Sequence, residues 1–298
     1  MMRWKLGAAI FVLAINIAGP ARAGWFGASD ERISSTQNDR VVAQIQQAID
    51  DQRLVDAGTL LDRALIGGGS DPRLALLAGE LSLSRGRYDV ALASFRQIDA
   101  QPIVHTKALE DEGIALSLLG RTDEALPVLE GATSAAPEAW RAWNALGVIY
   151  DRRHEWPKAD SAYEHALKAS NMSAVVLNNR GFSRLSQNRL DDAAADFVAA
   201  LQKKPDFSSA RNNLRLTIAM KGDYARATEG ASTTDRASIF NNAGFAAMAR
   251  GDYSAAENLL SQAIQAKGEY YSVAAANLEL AHGLASGGTT GAASDVVH

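Results

Sequence analysis

Alanine recurs at one fixed interval through most of this chain of 298 residues. Six alanines lie 34 residues apart, at Ala57, Ala91, Ala125, Ala159, Ala193 and Ala227. Repeats of this length build arrays in which each unit contacts only its neighbours. One unit cannot bury its own apolar face, so several units must stack to share a core. The period therefore predicts a linear array rather than a single globular core.

The residues around these alanines resemble the tetratricopeptide repeat, which has the pattern W-x2-L-G-x2-Y, then A-x3-F, then P. The clearest copy begins at Trp140 and places Trp143, Leu146, Gly147 and Tyr150 on its first helix. Its second helix then carries Ala159, Tyr163 and Ala166. Seven copies follow one another along the chain. The resemblance implies an all-α fold, a right-handed superhelical solenoid of tandem helix-turn-helix units.

The copies set the expected domain boundaries. Units in the 34-residue phase span 38–236, and the last of them is degenerate because "EGASTTDR" lacks a second-helix pattern. An interruption is expected near Gly230–Asp235, followed by a C-terminal unit and a capping helix at 237–284. Inside each unit a Gly, Asn or His marks the end of the first helix, as expected for a residue that can adopt a left-handed conformation.

The two ends of the chain are expected to lie outside the array. Residues 1–23 have a basic start, a short apolar run and an A-x-A site ending at Ala23, which predicts a cleaved secretory signal peptide. A retained membrane anchor is the alternative. Residues 24–37 are predicted to be a polar leader, and 285–298 a disordered Gly/Ser/Thr-rich tail. The chain has no cysteine, so neither a disulfide nor a lipid anchor is expected, and the product is predicted to be soluble and periplasmic.

Asparagine pairs recur near the starts of the later first helices, and they are the candidate binding residues. An amide can both donate to and accept from the backbone of an extended peptide. The predicted partner-binding groove comprises Asn144, Asn178, Asn179, Asn212, Asn213, Asn241, Asn242, Arg141, Arg211 and Phe245. Leu216 would offer an apolar pocket there, and Arg180 and Arg215 could meet a carboxylate, as could the other arginines. Two alternatives stay open, namely residues copied by duplication and helix capping.

No catalytic, cofactor or metal site is predicted. "HEWPK" at His154–Lys158 begins like a helical zinc motif but has Lys158 at the second ligand position. "GGGS" at Gly67–Ser70 is not followed by the Lys of a phosphate loop. A net charge of −4 and a pI near 5.8 argue against nucleic acid as a partner. We therefore expect a protein that is not an enzyme.

The C-terminal third also resembles the TadD proteins of Flp (Tad) pilus assembly. The similar stretches are "NNLRLTIAMKGDYARA", "FNNAGFAAMARGDYSAAENLLSQAI" and "YYSVAAANLELA", from Arg211 to Ala281. The resemblance implies a non-catalytic assembly factor whose partners are the pilus secretin or other Tad components. TadD-like proteins are usually lipoproteins, and this chain lacks the cysteine that lipidation needs. The alternatives are an adaptor in envelope maintenance or polysaccharide export, and the targeting subunit of an envelope enzyme.

Overall fold

The alternation of first and second helices runs along the whole computed structural model, which describes residues 32–67, 71–98, 102–267 and 271–286. Side chains are described from residue 38 onward, except those of 102–103. The described residues form fifteen α-helices and no strand. The helices are α1 (Arg32–Asp50), α2 (Leu54–Ile66), α3 (Pro72–Ser84), α4 (Tyr88–Arg96), α5 (Pro102–Leu118), α6 (Thr122–Ala135), α7 (Trp140–Arg152), α8 (Trp156–Ala169), α9 (Ala174–Ser186), α10 (Leu190–Lys203), α11 (Ser208–Met220), α12 (Tyr224–Thr228), α13 (Arg236–Ala249), α14 (Tyr253–Lys267) and α15 (Ser272–Ala285).

The ends of the array differ slightly from the expected boundaries. Helix α1 begins at Arg32, so the last six residues of the expected polar leader are helical. The capping helix α15 ends at Ala285, one residue beyond the expected end of the array. The signal peptide predicted at 1–23 and nearly all of the tail predicted at 285–298 lie outside the described residues. Among the described helices, none combines the length and apolarity that crossing a bilayer requires.

The turn between the two helices of a unit has the same backbone conformation every 34 residues. Positive φ angles occur at Gln52, Gly86, Gly120, His154, Asn188 and Gly222. At each of these turns the next N–H reaches back five residues, as in the bond of 2.9 Å from Arg121 N to Leu116 O. This closure satisfies a carbonyl that the end of the helix would otherwise leave unpaired. The Gly, Asn or His expected at the end of the first helix is therefore the residue that turns the chain.

A glycine on the first helix lets the second helix approach closely. A Cβ added at Gly147 would lie 2.6 Å from the ring of Tyr163, and one at Gly181 would lie 2.8 Å from the ring of Phe197. Both rings are fully buried. The same spacing of sixteen residues joins the other glycines of this type to their partners, namely Gly79 to Phe95, Gly113 to Leu129 and Gly244 to Leu260. The glycine and the large residue of each repeat are thus two halves of one packing contact.

The chain divides after Met172 into two groups of helices, which we describe separately. Within residues 32–172, first helices touch one another in the order α1, α3, α5, α7. Within residues 173–286 the order is α9, α11, α13, α15. Second helices touch their own first helix and the first helix that follows them. Each group therefore has one row made only of first helices, which brings equivalent side chains of successive units next to one another.

One helix pair in the second group is incomplete. Helix α12 has five residues, whereas α10 has 14 and α14 has 15. Arg215 occupies the position in α11 at which the other units have the close-contact glycine. Its side chain leaves no room for a second helix to approach as closely, and α12 ends at Thr228. Only Ala227 of this short helix reaches the core, with 1% of its surface exposed.

Candidate functional site

The candidate site is the row of first helices, because the residues predicted to bind a partner lie there. Arg141 and Asn144 are on α7, and Asn178 and Asn179 are on α9. The remaining members are on α11 and α13, at Arg211, Asn212, Asn213, Asn241, Asn242 and Phe245. The structure separates these residues into a buried set and an accessible set.

The buried asparagines contact each other instead of facing solvent. Asn178 and Asn179 are each 1% exposed, and Asn178 Nδ2 donates to Asn179 Oδ1 over 3.3 Å. On the next first helix, Asn213 Nδ2 donates to Asn178 Oδ1 over 3.0 Å. Asn144 is also buried, at 3%. The expectation that these amides line an open groove is corrected here, because close packing of the first helices places them between helices.

A second bond of the same kind joins α13 to α15. Asn277 Nδ2 donates to Asn241 Oδ1 over 3.0 Å, and Asn241 is 7% exposed. Asn241 Nδ2 in turn points to Asn242 Oδ1 at 3.5 Å, which is a long contact. Sequence reasoning missed Asn277, because α15 was treated only as a cap. The signal was available, since Asn277 is the sixth residue of its helix, as Asn179 and Asn213 are in theirs.

The accessible set lies on α11 and α13. Arg211 and Asn212 are exposed, and Asn213, Asn242 and Phe245 are partly buried. Arg211 Nη2 donates to Pro205 O over 2.8 Å, so part of its guanidinium is engaged locally. Phe245 packs partly against the core of its group. The structure thus concentrates the accessible polar members of the predicted groove around Asn212 and Asn242.

Asn212 and Asn242 line a pocket between α11 and α13. The pocket has about 270 Å³ of space, open to solvent. Arg215 and Ser238 complete its polar lining, and Leu216 and Ile239 are apolar members. Arg215 Nη1 donates to Ala227 O over 2.7 Å, which ties the short α12 to α11. The pocket therefore occupies the incomplete helix pair, at the two accessible asparagines.

Arg141 lies in a buried charge cluster and not in an open groove. Its Nη2 is 2.8 Å from Asp111 Oδ1, and its side chain is 8% exposed. Lys107 Nζ lies 2.8 Å from both Glu110 and Asp111, and 3.4 Å from Glu80. The sequence expectation that Arg141 meets a partner's carboxylate is corrected, since carboxylates of this chain already surround it.

Burial and charge oppose each other in this cluster. Burial by itself raises the pKa of Glu80, but attraction to Lys107 and Arg141 outweighs it and holds the pKa below its ordinary value. Burial lowers the pKa of Lys107, as does repulsion by Arg141, but the attraction of the three carboxylates exceeds both and raises it. The cluster is therefore a set of ionised groups that depend on one another, joining α3, α5 and α7.

A smaller buried ion cluster joins α9 to α10. Arg180 holds Asp196 through two bonds, of 3.0 and 2.7 Å, and Arg184 adds a third of 2.7 Å. Asp196 is 4% exposed, so Arg180 has its carboxylate partner within the same helix pair. Within the described part of the chain, no group of His, Cys, Asp and Glu side chains is arranged to hold a metal ion. His154, the start of the zinc-like sequence, sits at a turn with a φ of 58°.

Comparison with known proteins agrees with this architecture. The family model described as tetratricopeptide repeat matches residues 111–174 and 179–231. The type IV pilus assembly protein PilF of Pseudomonas aeruginosa is 30% identical over 119 residues, which is 39% of this chain and 47% of PilF. The peroxisomal targeting signal receptor of Candida albicans is 33% identical over 84 residues, 28% of this chain and 14% of the receptor. The chain spans less than half the length of either relative.

Solved structures with the same fold are more distant in sequence. The APC/C hetero-tetramer Cut9–Hcn1 superposes with a TM-score of 0.62 at 14% identity, over 80% of this chain and 48% of that one. A tetratricopeptide repeat protein from Parabacteroides merdae gives a TM-score of 0.52 at 17% identity, over 82% of this chain and 98% of that one. At such identities the likeness shows the fold alone, which is a solenoid of tandem tetratricopeptide helix pairs.

Proposed function

We propose that this chain of tetratricopeptide repeats is a non-catalytic scaffold that binds a partner protein along its first helices. The observation that carries the proposal is the direct contact between successive first helices, from α9 through α11 and α13 to α15. This contact sets equivalent side chains of neighbouring units side by side on one surface. An extended polypeptide presents its own groups at regular intervals, so a surface with a regular repeat can match it.

We further propose that the partner belongs to a pilus-assembly machine of the Flp (Tad) type, either the secretin or another Tad component. Two observations support this. The stretch from Arg211 to Ala281 resembles TadD proteins. The similarity to PilF, whose name assigns it to type IV pilus assembly, covers 119 residues. Pilus machines are assembled from many proteins, and a scaffold without catalytic groups suits that task.

Export is part of the proposal. Cleavage after Ala23 would release a chain that starts at Gly24, and the absence of cysteine leaves no site for a lipid anchor. The protein would then act in the periplasm and reach the outer membrane only through its partners. N-terminal sequencing of the exported protein checks the cleavage. Recovery of chains that begin at Met1 from the membrane fraction would contradict it.

Deletion of the gene tests the assigned pathway. We expect loss of surface pili and of secretin multimers, with both restored by the wild-type gene. A gene whose A-x-A site is altered at Ala21 and Ala23 is the matched control, since it supplies the same repeats without processing. Normal pili in the deletion strain, together with a defect in envelope integrity or polysaccharide export, would refute the pilus assignment and favour the envelope adaptor.

A further inference from the structure

The pocket between α11 and α13 interrupts the series of asparagine contacts along the first helices. Two bonds of that series are closed, from Asn213 to Asn178 and from Asn277 to Asn241. The corresponding residues at the incomplete helix pair are Asn212 and Asn242, and both line the pocket. Within the part of the chain that the structure describes, the Nδ2 group of neither residue donates a hydrogen bond. This contact of the series is therefore open, with two amide donors directed at the same space.

Arg215 adds a charge to this donor-rich pocket. Other partly buried arginines of the second group have an acid beside them, as Arg180 and Arg184 have Asp196. Arg215 forms no ion pair with any described residue, and its one hydrogen bond there goes to the carbonyl of Ala227. A partly buried guanidinium without an acid is left with N–H donors and positive charge to satisfy.

We propose that this pocket binds a carboxylate group of a partner polypeptide, through Arg215 and the amides of Asn212 and Asn242. The inference rests on the proposed function and specifies the partner's chemistry at one point. A carboxylate has two acceptor oxygens in one plane, which suits a planar guanidinium together with an amide. Ser238 donates its hydroxyl to Asp235 O over 2.8 Å, so it can act toward the ligand only as an acceptor.

Other occupants fit the pocket less well. An amphipathic helix from a partner would need an exposed apolar face to pack on, and Leu216 and Ile239 are already buried, at 9% and 8% exposure. A phosphate carries more charge than one guanidinium neutralises, and Arg215 is the one cationic residue that lines the pocket. A carboxylate is matched by a single arginine and neutral amide donors, so charge and donor count agree.

Small probes can test this chemistry without knowledge of the partner. N-acetyl-glutamate N-methylamide supplies a side-chain carboxylate, and N-acetylglycine supplies a terminal one. N-acetyl-glutamine N-methylamide is the neutral control of equal size. Binding to the full chain is followed by the NMR signals of the Asn212 and Asn242 side-chain amides. We expect both acidic probes to shift these signals with millimolar dissociation constants, typical for ligands of so few atoms, and we expect the glutamine probe not to.

Substitutions distinguish the pocket from general attraction of anions. Arg215→Gln should weaken the acidic probes about tenfold or more, because it removes a charge-assisted hydrogen bond. Arg226→Gln is the matched control, since Arg226 is exposed on the adjacent α12 and does not line the pocket. If Arg215→Gln disturbs α12, Asn212→Ala provides a second test, because Asn212 makes no hydrogen bond with the described residues.

Three results would overturn the proposal. They are equal shifts from the glutamine probe, tighter binding of inorganic phosphate than of the acidic probes, and equal weakening by Arg226→Gln and Arg215→Gln. The two acidic probes separate the sources of the carboxylate, since stronger binding of N-acetylglycine supports a chain terminus and the reverse supports an acidic side chain. The pilus phenotype of the deletion strain does not depend on these probes, so the pocket and the pathway can fail separately.

Discussion

Asn213 and Asn178, on successive first helices, are joined by a hydrogen bond of 3.0 Å from Nδ2 to Oδ1. Asn178 is 1% exposed, so this bond satisfies an amide that water does not reach. An unpaired buried amide would cost about 1–3 kcal/mol. The asparagine pair on α9 therefore stabilises the stacking of units, whereas the accessible pair at Asn212 and Asn242 remains available to a ligand.

Asn178→Ala is expected to lower the free energy of unfolding by about 1–3 kcal/mol, because it leaves its buried partner amide on Asn179 and that of Asn213 without this bond. Asn212→Ala is the matched control at the same position of the next unit. It should be neutral or stabilising by up to about 0.5 kcal/mol, since Ala is the better helix former. Urea unfolding followed by circular dichroism measures both. Equal effects of the two substitutions would show that burial does not separate them.

Gly120→Ala should destabilise the protein by about 1 kcal/mol, because Gly120 has a φ of 75° and an L-residue is strained there. Nothing lies within 4 Å of the added Cβ, so the effect comes from the backbone alone. Gly131→Ala also meets open space but lies inside α6, and it should stabilise by roughly 0.5–1 kcal/mol. Thermal unfolding of the two variants should show shifts of opposite sign, and shifts of the same sign would contradict the assigned turn.

Gly147→Ala should destabilise by about 1–3 kcal/mol, because the new methyl would lie 2.6 Å from the ring of Tyr163. Tyr163 cannot easily move, since it is fully buried and its hydroxyl donates to Asp151 Oδ2 over 2.7 Å. The gain in helix propensity from Gly to Ala offsets about 1 kcal/mol of this cost at most. A calorimetric midpoint equal to or above that of the wild type would mean that the helix pair tolerates a wider spacing.

Lys107→Met should lower the free energy of unfolding by about 3 kcal/mol near neutral pH, because it leaves Glu80, Glu110 and Asp111 with Arg141 as their remaining cation in the cluster. Lys168→Met, at an exposed position on α8, is the control and should change stability by less than about 0.5 kcal/mol.

The pH dependence of the Lys107→Met effect follows from the pKa of Glu80, which is lowered in the folded protein. The stabilisation from Glu80 is present above its unfolded pKa of about 4.3 and is lost as the pH falls through the folded value. In the variant the crowded carboxylates favour protonation, so acid relieves their repulsion. The difference between wild type and Lys107→Met should therefore narrow as the pH falls below about 5. A constant difference across this range would contradict ionised carboxylates in the cluster.

The sequence alone determined the features that depend on near neighbours in the chain. The 34-residue period, the turn residues at Gly120 and His154, and the pairing of Gly147 with Tyr163 all lie within one unit. The incomplete pair could also be predicted, because "EGASTTDR" has no apolar pattern for a second helix. Such features are visible in a sequence, since a helix and a turn are set by residues only a few positions apart.

Only the tertiary structure decided which asparagines are buried and which charges are paired. Asn178 and Asn212 occupy the same position of their helices, yet one is 1% exposed and the other is open to solvent. The difference comes from the next first helix, which carries Asn213 against Asn178 but meets Asn212 across a pocket. Arg141 likewise has its partners on α5, about thirty residues away in the chain. Burial and pairing depend on how neighbouring units stack, and the local pattern that defines each helix does not contain that information.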